Sequence, residues 1–163
     1  TQVTYKPSGK TTLNWSTYVG NEQPDSIKKW RYFNNIYGQF KVSEKTNLIA
    51  GFDIGAQQTL KGSSAYETWY SPVIIAEYKP TAKIQLAARG EYYQDKNGVI
   101  IATGTENGFK TFGYSANFDY LVSDNAMFRI EARFLNSKDA IFLRNNNPTD
   151  SNFFITTSLA ISF

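Results

Sequence analysis

Apolar and polar residues alternate along most of this chain with a period of two. In the C-terminal segment Phe153, Ile155, Thr157, Leu159, Ile161 and Phe163 share one face, and Thr156, Ser158, Ala160 and Ser162 share the other. Leu48, Ala50, Phe52, Ile54 and Ala56 alternate with Asn47, Gly51, Asp53, Gly55 and Gln57. The same pattern sets Ile84, Leu86, Ala88, Gly90 and Tyr92 against Gln85, Arg89, Glu91 and Tyr93. It sets Phe112, Tyr114, Ala116, Phe118 and Tyr120 against Thr111, Gly113, Ser115, Asn117 and Asp119, and Phe128, Ile130, Ala132 and Phe134 against Arg129, Glu131 and Arg133. Period two is the signature of strands, and no segment carries a convincing helical period. About nine strands are predicted, over residues 1–6, 11–20, 31–42, 47–60, 67–79, 83–95, 109–122, 127–137 and 152–163. Each is near the ~9–11 residues with which a tilted strand crosses a bilayer, or longer.

The connections alternate in length. Short, turn-rich links fall at residues 7–10, 43–46, 80–82 and 123–125, and longer ones at 21–30, 61–66, 96–108 and 138–151. An up-and-down sheet with one trimmed end and one elaborated end has the asymmetry of a transmembrane β-barrel, whose periplasmic turns are short and extracellular loops long.

A soluble sandwich or lipocalin-like barrel also has period-two strands. Here one face of the central strands is nearly free of charge, while the other holds Asp53, Glu77, Arg89, Glu91, Asp119, Arg129, Glu131 and Arg133. A soluble core could not bury those charges without a large desolvation penalty. A soluble sheet that showed them to water would need a second sheet over its apolar face, and nine similar strands in a meander supply none. Aromatic residues near strand ends (Trp30, Tyr32, Trp69, Tyr70, Tyr78, Tyr92, Tyr120, Phe128 and Phe153) suit the interfacial girdles of a membrane barrel. The expected fold is therefore all-β, an up-and-down antiparallel transmembrane β-barrel in a Gram-negative outer membrane.

Composition narrows the chemistry. The 163 residues contain no Cys and no His, which removes disulfides, thiolate nucleophiles, Cys- or His-ligated metals and His-based triads. A net charge of +3 with acids and bases interspersed gives no basic face for nucleic acid. Aromatics at 16% argue against disorder. Residues 1–10 lack the basic start and apolar run of a signal peptide, so an exported chain is expected here in mature form or as a piece of a longer one.

Several segments together narrow the family. They are Asn21-Glu22-Gln23-Pro24-Asp25-Ser26, Trp30-Arg31-Tyr32-Phe33, Ala50-Gly51-Phe52-Asp53-Ile54-Gly55 and Thr68-Trp69-Tyr70-Ser71-Pro72, with Ala88-Arg89-Gly90-Glu91-Tyr92-Tyr93, Gly98-Val99-Ile100-Ile101-Ala102-Thr103 and Ser137-Lys138-Asp139-Ala140-Ile141-Phe142. Through these the chain resembles the OmpL-like β-barrel porins of Bacteroidetes. The resemblance implies an outer-membrane barrel, and a longer chain with strands preceding those seen here. Parity points the same way. With Phe163 on the periplasmic side, counting back puts residue 1 outside, whereas a complete barrel has an even strand number and both termini in the periplasm. Either residues 1–10 form no strand or N-terminal strands are missing, and the resemblance favours the second.

The eight charged residues named above are the candidate pore lining. They set the field felt by a solute, or they form a mixed-sign ladder that satisfies its own charges. Val99, Ile100, Ile101 and Ala102 make an odd apolar run for an extracellular link; they fold into the lumen, pack on a partner or extend a strand. Residues 145–150 read as a solvated loop tip with too few oxygens for a convincing Ca²⁺ site. Glu77 and Glu91 are the candidate carboxylate pair for hydrolysis, and no glycine pair opens a helix as a phosphate loop requires.

The function expected is passive diffusion of small polar solutes or ions, without cofactor or catalysis. The alternative is a non-conducting accessory barrel in an outer-membrane protein complex; a soluble β-rich binding module is a third. The expected partners are outer-membrane lipid and the barrel-insertion machinery, which would read the terminal strand ending at Phe163.

Overall fold

The computed structural model describes residues 1–163. Nine strands form one antiparallel sheet in chain order: β1 (Gln2–Ser8), β2 (Thr11–Gly20), β3 (Arg31–Lys41), β4 (Thr46–Gln58), β5 (Tyr66–Tyr78), β6 (Ile84–Asp95), β7 (Phe109–Ser123), β8 (Ala126–Ser137) and, after a small hairpin of β9 (Phe142–Arg144) and β10 (Asn147–Thr149), β11 (Ser151–Ile161). The only helical element is a single 3-10 turn, Asp25–Ile27, in the link between β2 and β3. Within residues 1–10, Gln2–Ser8 form a strand paired with β2.

The predicted alternation of links is present. Four tight turns lie at one end, and the long links β2–β3, β4–β5, β6–β7 and β8–β11 lie at the other. Hydroxyl side chains shape the tight turns. Ser8 accepts from the Lys10 amide at 3.2 Å, Ser43 from Lys45 at 3.1 Å, and Thr81 from Lys83 and Ile84 at 3.2 and 3.1 Å. Such hydroxyls mimic a backbone turn and favour a short reversal.

Register fixes the faces. Tyr78, Leu86, Phe118, Ile130 and Thr157 form one row across five strands, and Ala76, Ala88, Ala116, Ala132 and Ile155 form another. Within the nine-stranded sheet that face carries one charge, Lys110, at the loop end of β7. Nothing covers it. Ile36, Ile74 and Phe153 are 52–53% exposed, and Trp69 is the single large apolar side chain that is buried. A soluble sheet would leave such an apolar face against water, which is why monomeric soluble proteins rarely build one.

Aromatics cluster at two heights on this face. Phe52, Tyr70, Tyr92 and Phe112 form a continuous ladder toward the loop end, with centroids 6.1, 6.1 and 4.5 Å apart. Tyr78, Tyr120 and Phe128 stand toward the turn end. Eight residues separate Tyr70 from Tyr78 and Phe112 from Tyr120, about 26 Å along a strand at ~3.3 Å per residue. Trp69 is a correction to the girdle assignment. It sits one residue off Tyr70, hence on the opposite face, where it is buried.

The sheet is open. β1 and β11 are its two edges, and because the strands alternate strictly the two run in the same direction.

Candidate functional site

All eight candidate charges project from the polar face, because each lies an even number of residues from its face-mates and the register carries that parity across strands. β6, β7 and β8 hold the densest group. Glu91 takes ion pairs from Arg89 on its own strand and from Arg133 two strands away. It spans the gap because the residue opposite it on β7 is Gly113, where a Cβ would lie 2.6 Å from Glu91 Oε1. Arg89, Ser115 and Arg133 share one row, so the two guanidiniums approach the carboxylate from the same side of the row.

Toward the turn end, Asp119 and Arg129 are direct register partners. Arg129 donates from Nε and Nη2 to the two Asp119 oxygens, each at 2.6 Å, and Asn117 adds a third donor at 2.9 Å. This fork geometry is the strongest form of arginine–carboxylate pairing, and it leaves Asp119 fully buried. Asp53 accepts from Asn35 at 2.6 Å and Glu77 from Asn47 at 3.3 Å. Asp53, Glu77 and Glu131 enter no salt bridge. The wall thus mixes two compensated clusters with three carboxylates that no salt bridge reaches.

Glu77 and Glu91 are not a catalytic pair. Glu91 stands opposite Val73, four residues from Glu77 on β5, or about 13 Å along the sheet. That exceeds the ~5–9.5 Å of a glycosidase pair, and Glu91 is already neutralised by arginine.

The link between β6 and β7 is no strand extension. Asp95, the last residue of β6, is fully buried and points its carboxylate into the turn that follows. It accepts from the amides of Val99, Ile100 and Ile101 at 2.9, 2.7 and 2.9 Å. Gly108 closes the loop at φ +63°, where a side chain would overlap the Asp95 and Lys96 carbonyls. Farther along, Asn107 donates to Asp139 from its amide and its side chain at 2.9 and 2.8 Å, tying this loop to the next. Those bonds, the backbone one first, hold the Asp139 carboxyl below its usual range. So anchored, the apolar run turns over the polar face. Ile100 lines one cleft with Tyr18, Trp69 and Tyr93, and Ile101 lines another with Glu91 and Arg133.

Asp95 and Arg31 were absent from the candidate charges although both lie on the polar face. Parity alone would have found them; their places at strand ends hid them. Asn145 and Asn146 form the turn of the β9–β10 hairpin, with φ of 51° and 66°. Positive φ at both central residues is the type I′ requirement that asparagine meets.

No curated protein and no solved structure matches the chain. A family model does, along residues 1–163, and its description agrees with the meander and its two unlike faces. The chain belongs to the family Putative beta-barrel porin-2, OmpL-like.

Proposed function

We propose that this chain is part of the wall of an outer-membrane pore through which small polar solutes or ions diffuse passively, with the apolar face against lipid and the polar face against water. The carrying observation is the segregation of charge: the eight candidate residues stand on one face, and Lys110 is the single strand charge on the other. The aromatic ladders at two heights suit the interfacial girdles of such a barrel. The reading assigns no catalytic step and no cofactor to the wall.

Unpaired sheet edges are not tolerated in hydrocarbon, so the wall is completed by further strands bonded to β1 and β11. These edge strands run in the same direction, so an all-antiparallel closure takes an odd number of additional strands. We place them before β1 in the polypeptide. The long links then face the cell exterior, and β11 with Phe163 is offered to the insertion machinery.

Single-channel recording in planar bilayers tests this. The lining holds two more carboxylates than arginines, so the pore should prefer cations weakly. Replacing Arg89, Arg129 and Arg133 with Gln should strengthen that preference, most visibly at low salt, where screening beyond ~10 Å is weakest. Insertion with an unchanged reversal potential would remove these residues from the path. Insertion with no conductance at all would leave the non-conducting accessory barrel as the better reading.

A further inference from the structure

Four aromatic side chains from four strands meet on the polar face near the long links: Tyr18 of β2, Phe33 of β3, Trp69 of β5 and Tyr93 of β6. With Ile100 from the anchored loop they line an open cleft of about 330 Å³, completed by Glu22, Arg31 and Asp53. The aromatic wall is built into the sheet. Trp69 lies over Gly55, its register partner on β4, where any Cβ would overlap the indole. Arg31 stands 5.6 Å from the Trp69 ring centroid, donates to Gln57 at 2.8 Å and pairs with Glu22.

An apolar lining with a few convergent polar groups is the usual make-up of a small-molecule site, and this volume sits at the small end of the ~300–1,000 Å³ range. Arg31 is paired with Glu22, and Asp53, which accepts from Asn35, leaves the cavity one net negative charge that disfavours anions and offers an acceptor to a hydroxyl group. Aromatic faces carry negative charge density and attract the weakly positive C–H face of a saturated ring. Glu22, Arg31 and Asp53 supply acceptors and donors for hydroxyl groups around such a ring. Because Asp95 fixes Ile100 opposite the aromatic wall, the site is formed before the solute arrives.

We propose that this cavity is a selecting subsite of the pore for neutral, hydroxylated, ring-shaped solutes of monosaccharide size. The proposal rests on the polar face being a lumen wall. Its affinity is expected near millimolar, since conduction needs a site that also releases its solute.

The test uses glucose as the probe on the full polypeptide in planar bilayers. Glucose should reduce the ion current beyond an equally viscous glycerol solution. Tyr18→Ala and Ile100→Ser should each raise the half-blocking concentration about tenfold, while Tyr114→Ala on the apolar face should not. A conducting channel that glucose affects no more than glycerol does, or whose block survives both substitutions, overturns the subsite and leaves the porin reading standing. A protein that inserts without conducting overturns the porin reading instead. Binding is then read separately in detergent from the intrinsic fluorescence of the protein, with Trp69→Phe identifying the part of the signal that comes from the cavity. A saturable change of its fluorescence with glucose supports the subsite, and none overturns it.

Discussion

Glu91 on β6 reaches Arg133 on β8 by lying across Gly113, the residue of the intervening strand that stands directly opposite it. The absence of one side chain therefore decides which charges on this wall meet. It also explains why Arg89 and Arg133, from non-adjacent strands, share a single carboxylate.

A Cβ at this glycine would come within 2.6 Å of Glu91 Oε1 and 2.9 Å of its Cγ. Gly113→Val should displace the carboxylate and free Arg133, at a cost of about 1–2 kcal/mol for a charged hydrogen bond in a partly exposed setting. In a Glu91→Gln background the same substitution should cost much less, because the contact is already weakened. Denaturant titration of the folded barrel in lipid reads both values. Equal costs in the two backgrounds would mean that Gly113 is not there for Glu91.

The two faces should tolerate arginine very differently. Leu86, Phe118 and Ile130 share one row of the apolar face, each 38–39% exposed. Leu86→Arg or Ile130→Arg, in the row of Tyr78 and so between the midplane and the turn-end girdle, should weaken folding into bilayers by about 1–2 kcal/mol. Gln85→Arg and Asn117→Arg, one residue away on the polar face, should fold nearly as well as the parent. Equal penalties in the two sets would contradict the assignment of faces.

The clamp between the β6–β7 loop and the β8–β9 link should depend on pH. Asp139 accepts two hydrogen bonds from Asn107, and its carboxyl is held below the usual range by the backbone donor first and the side-chain donor second. A depressed pKa means that the contact is fully present above the ordinary carboxylate value and is lost as pH falls through the lowered one. Hydrogen exchange at the Asn107 amide should therefore be slow at neutral pH, after correction for intrinsic rates, and lose protection in acid. Asp139→Asn should remove that dependence. Protection unchanged across the acid range would show that Asp139 does not hold the loop.

Much of this architecture was legible in the pattern of residues. The strands predicted at 109–122 and 127–137 correspond to Phe109–Ser123 and Ala126–Ser137, because each apolar face announces its own period. The β9–β10 hairpin escaped, since strands of three residues carry no period to read. Nearness to a strand end alone puts Trp69 in the girdle, and the register puts it on the polar face. Position along a strand sets height, and only parity sets face. The charged residues were visible as a set, but their pairing was not. Whether Arg133 meets Glu91 or Glu131 depends on register and on a glycine in the strand between them, and neither is encoded in either residue's own neighbourhood.

The central claim is that the polar face meets water and the apolar face meets lipid, and Ser115 with Ala116 tests it across a single peptide bond. These 163 residues contain no cysteine, so each position can carry the only thiol on this part of the wall. Ser115 lies in the row of Arg89 and Arg133, and Ala116 in the row of Ala88 and Ala132. With the protein inserted in a planar bilayer, a charged, membrane-impermeant thiosulfonate should react with Ser115→Cys and step the single-channel current downward. Ala116→Cys should neither react nor change its current. Reaction at 116 with silence at 115 would invert the wall, and an equal response at both would contradict a two-faced wall altogether.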